Sequence, residues 1–369
     1  MTSPLLIHTE ASRGWGGQEM RTLAECRWFR DQGYRIALIA PEASEISAAA
    51  AKENFTVHHR ELTKKTQLPD FLFCRKLFKK DPPLMVGAHS NIDTRVCLAA
   101  ATAARIPNRF RYRHVSIPVK YNPWNRVIYR KFATQIITTA EKIAIPLRED
   151  FELPAGKVIT IATGVAPPDD LPTREQAHRD LCSELKLPPT SRFIGQVSIL
   201  RRWKGHTDVM TAFEKIAEDY PNHHLVFVGG GHGEEYLPPF AKNLACADRI
   251  HFMGHHPNPW PFFRAFEIAT LASTEGEGIP QSGMQAMLSG CPFIGTSVGG
   301  IPEIITHAKT GLLVPPSDPS AITAALKTLL EAPLTRQKIA KMAYDWALEN
   351  TTLDRMGKTV ESLLTNNPS

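Results

Sequence analysis

No apolar run in this 369-residue sequence approaches the roughly 20 residues that a bilayer-spanning helix needs, so a helical integral membrane protein is not expected. The opening stretch MTSPLLIHTEASRGWGG lacks a basic region followed by a long apolar one, so no secretory leader is expected either. Six cysteines (Cys26, Cys74, Cys97, Cys182, Cys246, Cys291) are scattered without a C-x-x-C pair. That argues against a disulfide framework or zinc site and for reduced thiols in a cytoplasmic protein. Low-complexity tracts and short repeats are missing. No Asp-x-Asp closes a strand, so neither a bound divalent metal nor another cofactor is expected.

What is present points to a two-domain globular protein. The length suits two domains of ordinary size, and 43% hydrophobic residues suffice for a core in each. The net charge of +6 hides an asymmetry: residues 1–165 carry 25 Lys and Arg against 15 Asp and Glu, the remainder 18 against 22. A basic half suggests an anionic partner such as a membrane surface, a phosphorylated glycolipid or nucleic acid.

Short apolar runs alternate with helical patterns. LLIHT, RIALIAP, PLMVGAHS, RFRYRHVS, QIITTAE and VITIATGV read as strands, with a helix from Gln18 to Gln32 between the first two. After the polar, proline-rich VAPPDDLPTREQ, taken as a linker, the pattern restarts. RFIGQVSIL, HHLVFVGGG, RIHFMGH, EIATLAS, PFIGTS and GLLVPP are strands, with helices over His206 to Asp219 and Pro319 to Leu330. Such alternation predicts parallel sheets covered on both faces. The expected fold class is α/β, with two Rossmann-like domains facing across a cleft and ligands beyond the strand ends. The expected bounds are 1–165 for an acceptor-side domain and 166–345 for a donor-binding domain. A final helix in 346–369 would return toward the first.

The strongest motif runs from Ser273 to Pro292, STEGEGIPQSGMQAMLSGCP, and continues as FIGTSVGGIPEII to Ile305. It reads as strand, glycine-rich turn, helix, Gly-x-Pro and strand. Gly278, Ile279, Pro280, Gln281 and Ser282 fall where a helix begins, and backbone N–H groups there suit a diphosphate. Pro280 suits the first helical position and leaves Gln281 and Ser282 as donors. Glu277, just before the turn, can accept from sugar hydroxyls. Gln285, about two helical turns on, can reach a ribose.

This segment resembles the E-x7-E region of glycosyltransferase family 4, whose members have the GT-B fold. Ser273, Glu277, Gly278, Ala286, Met287, Gly290, Pro292, Gly299, Gly300 and Glu303 fall in register with the family pattern. The resemblance implies that Glu277 contacts the donor sugar and position 285 the ribose. Two positions depart from it: Gln285 stands for a glutamate and Pro280 for a glycine. Glu275 offers an alternative register, but the A-M-x-x-G-x-P spacing favours Glu277.

Further signals extend the resemblance. Ser198 to His206, SILRRWKGH, places cations after a strand, where they can neutralise a departing diphosphate. Lys204-Gly205 matches the family's Lys-Gly, and Arg201 is the candidate arginine with Arg202 as competitor. Gly16 and Gly17 precede the first helix, in a loop that the family sets near donor phosphates and acceptor. Gly229, Gly231 and Glu234 miss the dinucleotide-binding spacing and resemble the family's Gly-x-Gly turn. Gly254 and His255 fall where the family's backbone reads the base. His114 matches a position where the family often has a histidine near the reacting sugar. His89 and Arg113 are further candidates on the acceptor side.

The segment from Thr66 to Pro83 interleaves Phe71, Phe73 and Phe78 with Arg75, Lys76, Lys79 and Lys80, the profile of a membrane-surface helix. Arg109 to Phe132 adds cations around Tyr121, Trp124 and Tyr129. Core packing with solvated charges explains both segments equally well. The expected function, implied by the resemblance, is retaining transfer from a UDP- or GDP-sugar to a saccharide or phosphorylated glycolipid, in cell-surface polysaccharide or lipopolysaccharide synthesis. The expected place is the cytoplasm, with peripheral attachment at the inner membrane face as an extension. No nucleic-acid recognition motif is present. The rivals are a nucleotide-sugar 2-epimerase and a non-catalytic relative, the latter kept open by Gln285.

Overall fold

The computed structural model describes residues 3–114 and 119–365. The last two residues of the expected strand RFRYRHVS lie outside the described residues. The chain divides into two compact units, residues 1–164 with 351–369, and residues 165–350.

The first unit is built on seven strands: β1 (Leu5–Thr9), β2 (Arg35–Ala40), β3 (Thr56–His59), β4 (Met85–Ala88), β5 (Asn108–Arg113), β6 (Gln135–Thr138) and β7 (Val158–Thr160). Their order is β3-β2-β1-β4-β5-β6-β7, parallel throughout. The winding reverses between β1 and β4. Leu6, Leu38, Met85 and Phe110 are buried in its core, which is what continuous rather than alternating apolar runs predict. The edge strand β3 was not expected. Its sequence TVHH has no apolar run, and both of its end residues are exposed.

The second unit has six strands: β8 (Arg192–Val197), β9 (His223–Val228), β10 (Ile250–Phe252), β11 (Ile268–Leu271), β12 (Phe293–Thr296) and β13 (Leu312–Val314). Their order is β10-β9-β8-β11-β12-β13, again all parallel. Successive residues feed opposite faces. Phe193 packs with Val226 and Ala269 on one side, and Ile194 with Leu225 and Ile268 on the other. Burying each such large side chain contributes about 1.5–3 kcal/mol before the entropy of ordering is subtracted. Here the winding reverses between β8 and β11.

One expectation needs correction. The stretch taken as a linker is helical from Arg174 onward. The helix Arg174–Leu185 starts there because Thr173 caps it, its hydroxyl accepting from the Gln176 amide at 3.2 Å. Of the two readings of the helix Gln67–Lys80, core packing holds for its aromatic residues. Phe78 is buried, and Phe71 and Phe73 are half-buried, with Arg60 stacked 3.6 Å from the Phe73 ring centre. The apolar residues it exposes are Leu68 and Leu72, beside Arg75, Lys76, Lys79 and Lys80. Among the described residues no helix is long and apolar enough to cross a membrane.

Candidate functional site

In an open parallel sheet the loops beyond two neighbouring strands diverge where the winding reverses, and that gap is where ligands bind. In the second unit those loops follow β8 and β11, and they carry the two strongest motifs. They are tied together directly: the Thr274 amide donates to the Trp203 carbonyl at 2.8 Å. Lys204 Nζ donates to Oε1 of Glu277, and the Ser273 hydroxyl donates to the same oxygen at 2.5 Å. Both partners are buried, at 8% and 5% exposure. Both contacts fall on Oε1, so Oε2 is the oxygen that this carboxylate can offer to a ligand hydroxyl. Glu275 is exposed, which separates the two glutamates by burial.

Two glycines make this geometry available. Gly205, after Lys204, has φ +65°, and a Cβ there would lie 1.9 Å from the Ala272 carbonyl oxygen. Gly299 has φ +56°, and its Cβ would lie 2.0 Å from the Glu277 carbonyl oxygen. Both sites are left-handed and closed to any side chain. Below Lys204, Gln196 Nε2 donates to the Lys204 carbonyl at 2.8 Å, and Ser198 Oγ lies 3.0 Å from His206 Nε2. Lys204 Nζ sits 4.3 Å from the Trp203 ring centre, within cation–π range.

The helix Gln281–Leu288 begins beside this pair, and its N-cap residue makes no side-chain cap. Pro280 is its N-cap residue, one place before the expected first helical position. Gly278, Ile279, Gln281 and Ser282 are half-buried around the turn, and Gln285 is buried inside the helix. Arg201 and Arg202 are both exposed, and Arg202 stacks 5.1 Å from the Tyr236 ring centre. The loop after β10 joins the same strand-end layer, where the Gly229 amide donates to the Gly254 carbonyl at 2.8 Å. His255 is exposed there.

In the first unit the reversal lies between β1 and β4, and the polar residues gather there as well. Glu10, after β1, is 1% exposed and accepts from Gln18 Nε2 at 2.5 Å, from the Ser12 amide at 2.9 Å and from Ser90 Oγ. Burial, and then the neighbouring Asp93 carboxylate, push its pKa up to about 7. His89, after β4, lies 3.0 Å from His114 and 3.0 Å from His8, so His89 and His114 are brought together. Arg113 is buried in β5, and burial lowers its pKa. Gly16 precedes the helix Gly17–Asp31 in extended backbone that any residue adopts, so it does not serve through a special conformation. Glu10, Asp93 and His8 were not picked out from the sequence, and Ser273 only as a member of the family pattern. Of the first three, only Glu10 and His8 carried a usable signal, their place at the end of the first strand.

Two doubly wound parallel α/β units, each with polar residues gathered where its winding reverses, define a ligand-binding α/β protein of the Rossmann-like class. Residues 15–167 match the model of Glycosyltransferase Family 4 and residues 180–346 that of Glycosyl transferases group 1. The chain belongs to the family 4-type glycosyltransferases of GT-B fold. Among curated relatives it is similar to an N-acetyl-alpha-D-glucosaminyl L-malate synthase of Bacillus anthracis, 28% identical over 50% of this chain and 48% of that one. It is also similar to a D-inositol 3-phosphate glycosyltransferase of Corynebacterium efficiens, 25% identical over 60% and 57%. The chain thus spans about half the length of the curated relatives it matches. Among solved structures, Anabaena Alr3699/HepE in complex with UDP superposes with a TM-score of 0.84 at 18% identity, covering 98% of this chain and 99% of that one. A glycosyltransferase from Rickettsia africae gives 0.87 at 17% identity, covering 99% and 98%. Both likenesses concern the fold.

Proposed function

We propose that the protein is a retaining glycosyltransferase that moves a sugar from a UDP- or GDP-linked donor to a hydroxyl of a saccharide or glycolipid. Its proposed setting is cell-surface polysaccharide or lipopolysaccharide synthesis. The observation that carries this reading is the pairing of Lys204 with Glu277 beside the start of the helix Gln281–Leu288.

In the proposed reaction the bond from the anomeric carbon to the donor phosphate breaks while the acceptor oxygen bonds the same carbon from the same face. The acceptor proton passes to the departing phosphate oxygen. Charge develops on the diphosphate, and Lys204, Arg201 and the N-terminal dipole of the helix Gln281–Leu288 stabilise it. Glu277 accepts from a hydroxyl of the donor sugar. Gly278, Ile279, Pro280, Gln281 and Ser282 shape the phosphate turn, and Gln285 takes a ribose hydroxyl. Gly254 and His255 flank the base. His114, with His89, Arg113, Gly16 and Gly17 on the acceptor side, completes the set. The lysine and helix dipole do the work a divalent cation does in other transferases, so the proposed reaction needs no metal.

Relatives support a nucleotide-sugar donor without specifying which. Alr3699/HepE has been solved with UDP-glucose, and one relative from Mycolicibacterium smegmatis is named as GDP-mannose-dependent. The basic first half fits an acceptor that carries phosphate, or an anionic membrane face. The test is release and transfer of sugar from a panel of UDP- and GDP-sugars, with the product anomer read by NMR. One donor should be consumed with retention, and Glu277→Gln should abolish it. Failure of every donor, or an undiminished Glu277→Gln variant, overturns the reading.

A further inference from the structure

The three histidines at the strand ends of the first unit form one hydrogen-bonded chain. Nδ1 of His8 lies 3.0 Å from Nε2 of His89, and Nδ1 of His89 lies 3.0 Å from Nε2 of His114. His8 and His89 are buried, and His114 is the half-buried end. A neutral imidazole carries one proton, so fixing one ring fixes the other two.

Thr22 does the fixing. Its hydroxyl donates to the Gln18 carbonyl at 3.0 Å, one helical turn back. The same oxygen lies 3.2 Å from Nδ1 of His89. A hydroxyl has a single proton. With that proton committed to Gln18, Thr22 meets His89 as an acceptor, and Nδ1 of His89 must be the protonated nitrogen. That N–H is shared between Thr22 and Nε2 of His114, which leaves the His114 proton on Nδ1. Nε2 of His89 is then bare and accepts from Nδ1 of His8.

The surroundings keep all three rings neutral. Burial first, and then the Arg21 guanidinium, lower the pKa of His8 to about 4. Burial also holds His89 and His114 well below the ordinary value, with Arg21 and Arg111 adding to it and Arg113 acting on His114. The opposite arrangement, with every proton on Nε2, is the form that an unconstrained histidine favours in water. It would end in a His8 N–H beside Glu25, the carboxylate that faces the chain. Glu25 Oε1 stays 3.8 Å from Nε2 of His8, beyond hydrogen-bond reach, and takes the Tyr112 hydroxyl at 2.5 Å instead. Nε2 of His8 has no hydrogen-bond partner, so no contact there requires it to carry a proton.

We propose that Thr22, acting through His89, holds His114 in its Nδ1–H tautomer, so that His114 offers a ligand oxygen a hydrogen-bond donor and not a base. The tautomers follow from giving the Thr22 proton to the Gln18 carbonyl, the shorter of its two contacts, and do not depend on the reaction. The meeting with a sugar or phosphate oxygen rests on the glycosyltransferase reading, in which the departing phosphate takes the acceptor proton and no histidine base is needed. Thr22 and His89 are therefore positioning residues.

The test is a long-range ¹H–¹⁵N correlation spectrum of the full chain labelled at histidine, with rings assigned through single His→Asn variants. His8, His89 and His114 should all appear as Nδ1–H tautomers. In Thr22→Val, His89 and His114 should shift to Nε2–H, and kcat/KM for the donor should fall about tenfold, the worth of one hydrogen bond. Thr22→Ser should restore both. An Nε2–H tautomer at His89 or His114 in the unaltered protein overturns the proposal, as does a Thr22→Val spectrum unchanged at both rings. Should the valine variant fail to fold, the unaltered spectrum decides alone. Nδ1–H signals in a protein that consumes no donor would uphold the tautomers and overturn the glycosyltransferase reading.

Discussion

Lys204 and Glu277, 73 residues apart in the chain, meet at the reversal point of the second sheet, with Ser273 bonded to the same carboxylate oxygen. The side chains keep only 11% and 7% of their surface exposed, so each charge depends on the other. Removing one partner should cost roughly 3–5 kcal/mol, because the survivor is left buried and unpaired. The Lys204→Met and Glu277→Gln singles should therefore be destabilised by more, when summed, than the double variant. A double-mutant cycle by urea denaturation reads this directly, and additive costs would mean that the pair contributes no coupling.

Gly299 controls the same carboxylate from behind. Gly299→Ala must push its Cβ against the Glu277 carbonyl in left-handed backbone. The variant should lose more than about 1 kcal/mol of stability. Donor turnover should fall at least about tenfold. Gly290→Ala is the control, since Gly290 is likewise left-handed, with φ +65°, but its Cβ would meet nothing within 4 Å. Equal turnover in the two alanine variants would rule out control of Glu277 by Gly299.

Glu10 gives the first unit a pH dependence. Its folded pKa of about 7 lies above the ordinary 4.5. Between these values the folded protein holds a proton that the unfolded chain releases. Stability from this group is therefore complete below pH 4.5 and lost as pH rises through about 7, on the order of 3 kcal/mol in all. Urea midpoints measured from pH 4.5 to 8 should fall for the unaltered chain relative to Glu10→Gln. Parallel curves would contradict the shift.

The exposed face of the helix Gln67–Lys80 should bind anionic vesicles at low salt through Leu68, Leu72 and its lysines. Leu68→Ser with Leu72→Ser should abolish co-sedimentation and leave the melting temperature unchanged, since both side chains are already exposed. Binding that survives both substitutions would place the contact elsewhere.

Much of the fold was legible in the sequence. The runs LLIHT and RIALIA, and LVFV and FIGT later on, are largely apolar without alternation, as strands of a parallel sheet covered on both sides are. β3 was illegible because an edge strand needs no such run. The outward face of the basic helix stays open in the sequence because interleaved phenylalanines and lysines do not say which set turns inward. That choice belongs to the core against which the helix packs, where Cys74 and Phe78 are buried.

The sequence by itself determined the alternation of strand and helix, the glycine-rich turn and the helix start that follows it. These are local matters of periodicity and backbone freedom. Only the tertiary structure decided that Lys204 pairs with Glu277, that Glu10 meets Ser90, and that His8, His89 and His114 stand in one line of contacts. Those contacts depend on which strands become neighbours. β8 lies beside β11, and β1 beside β4, because the winding reverses there, and the order of residues along the chain carries no trace of that reversal.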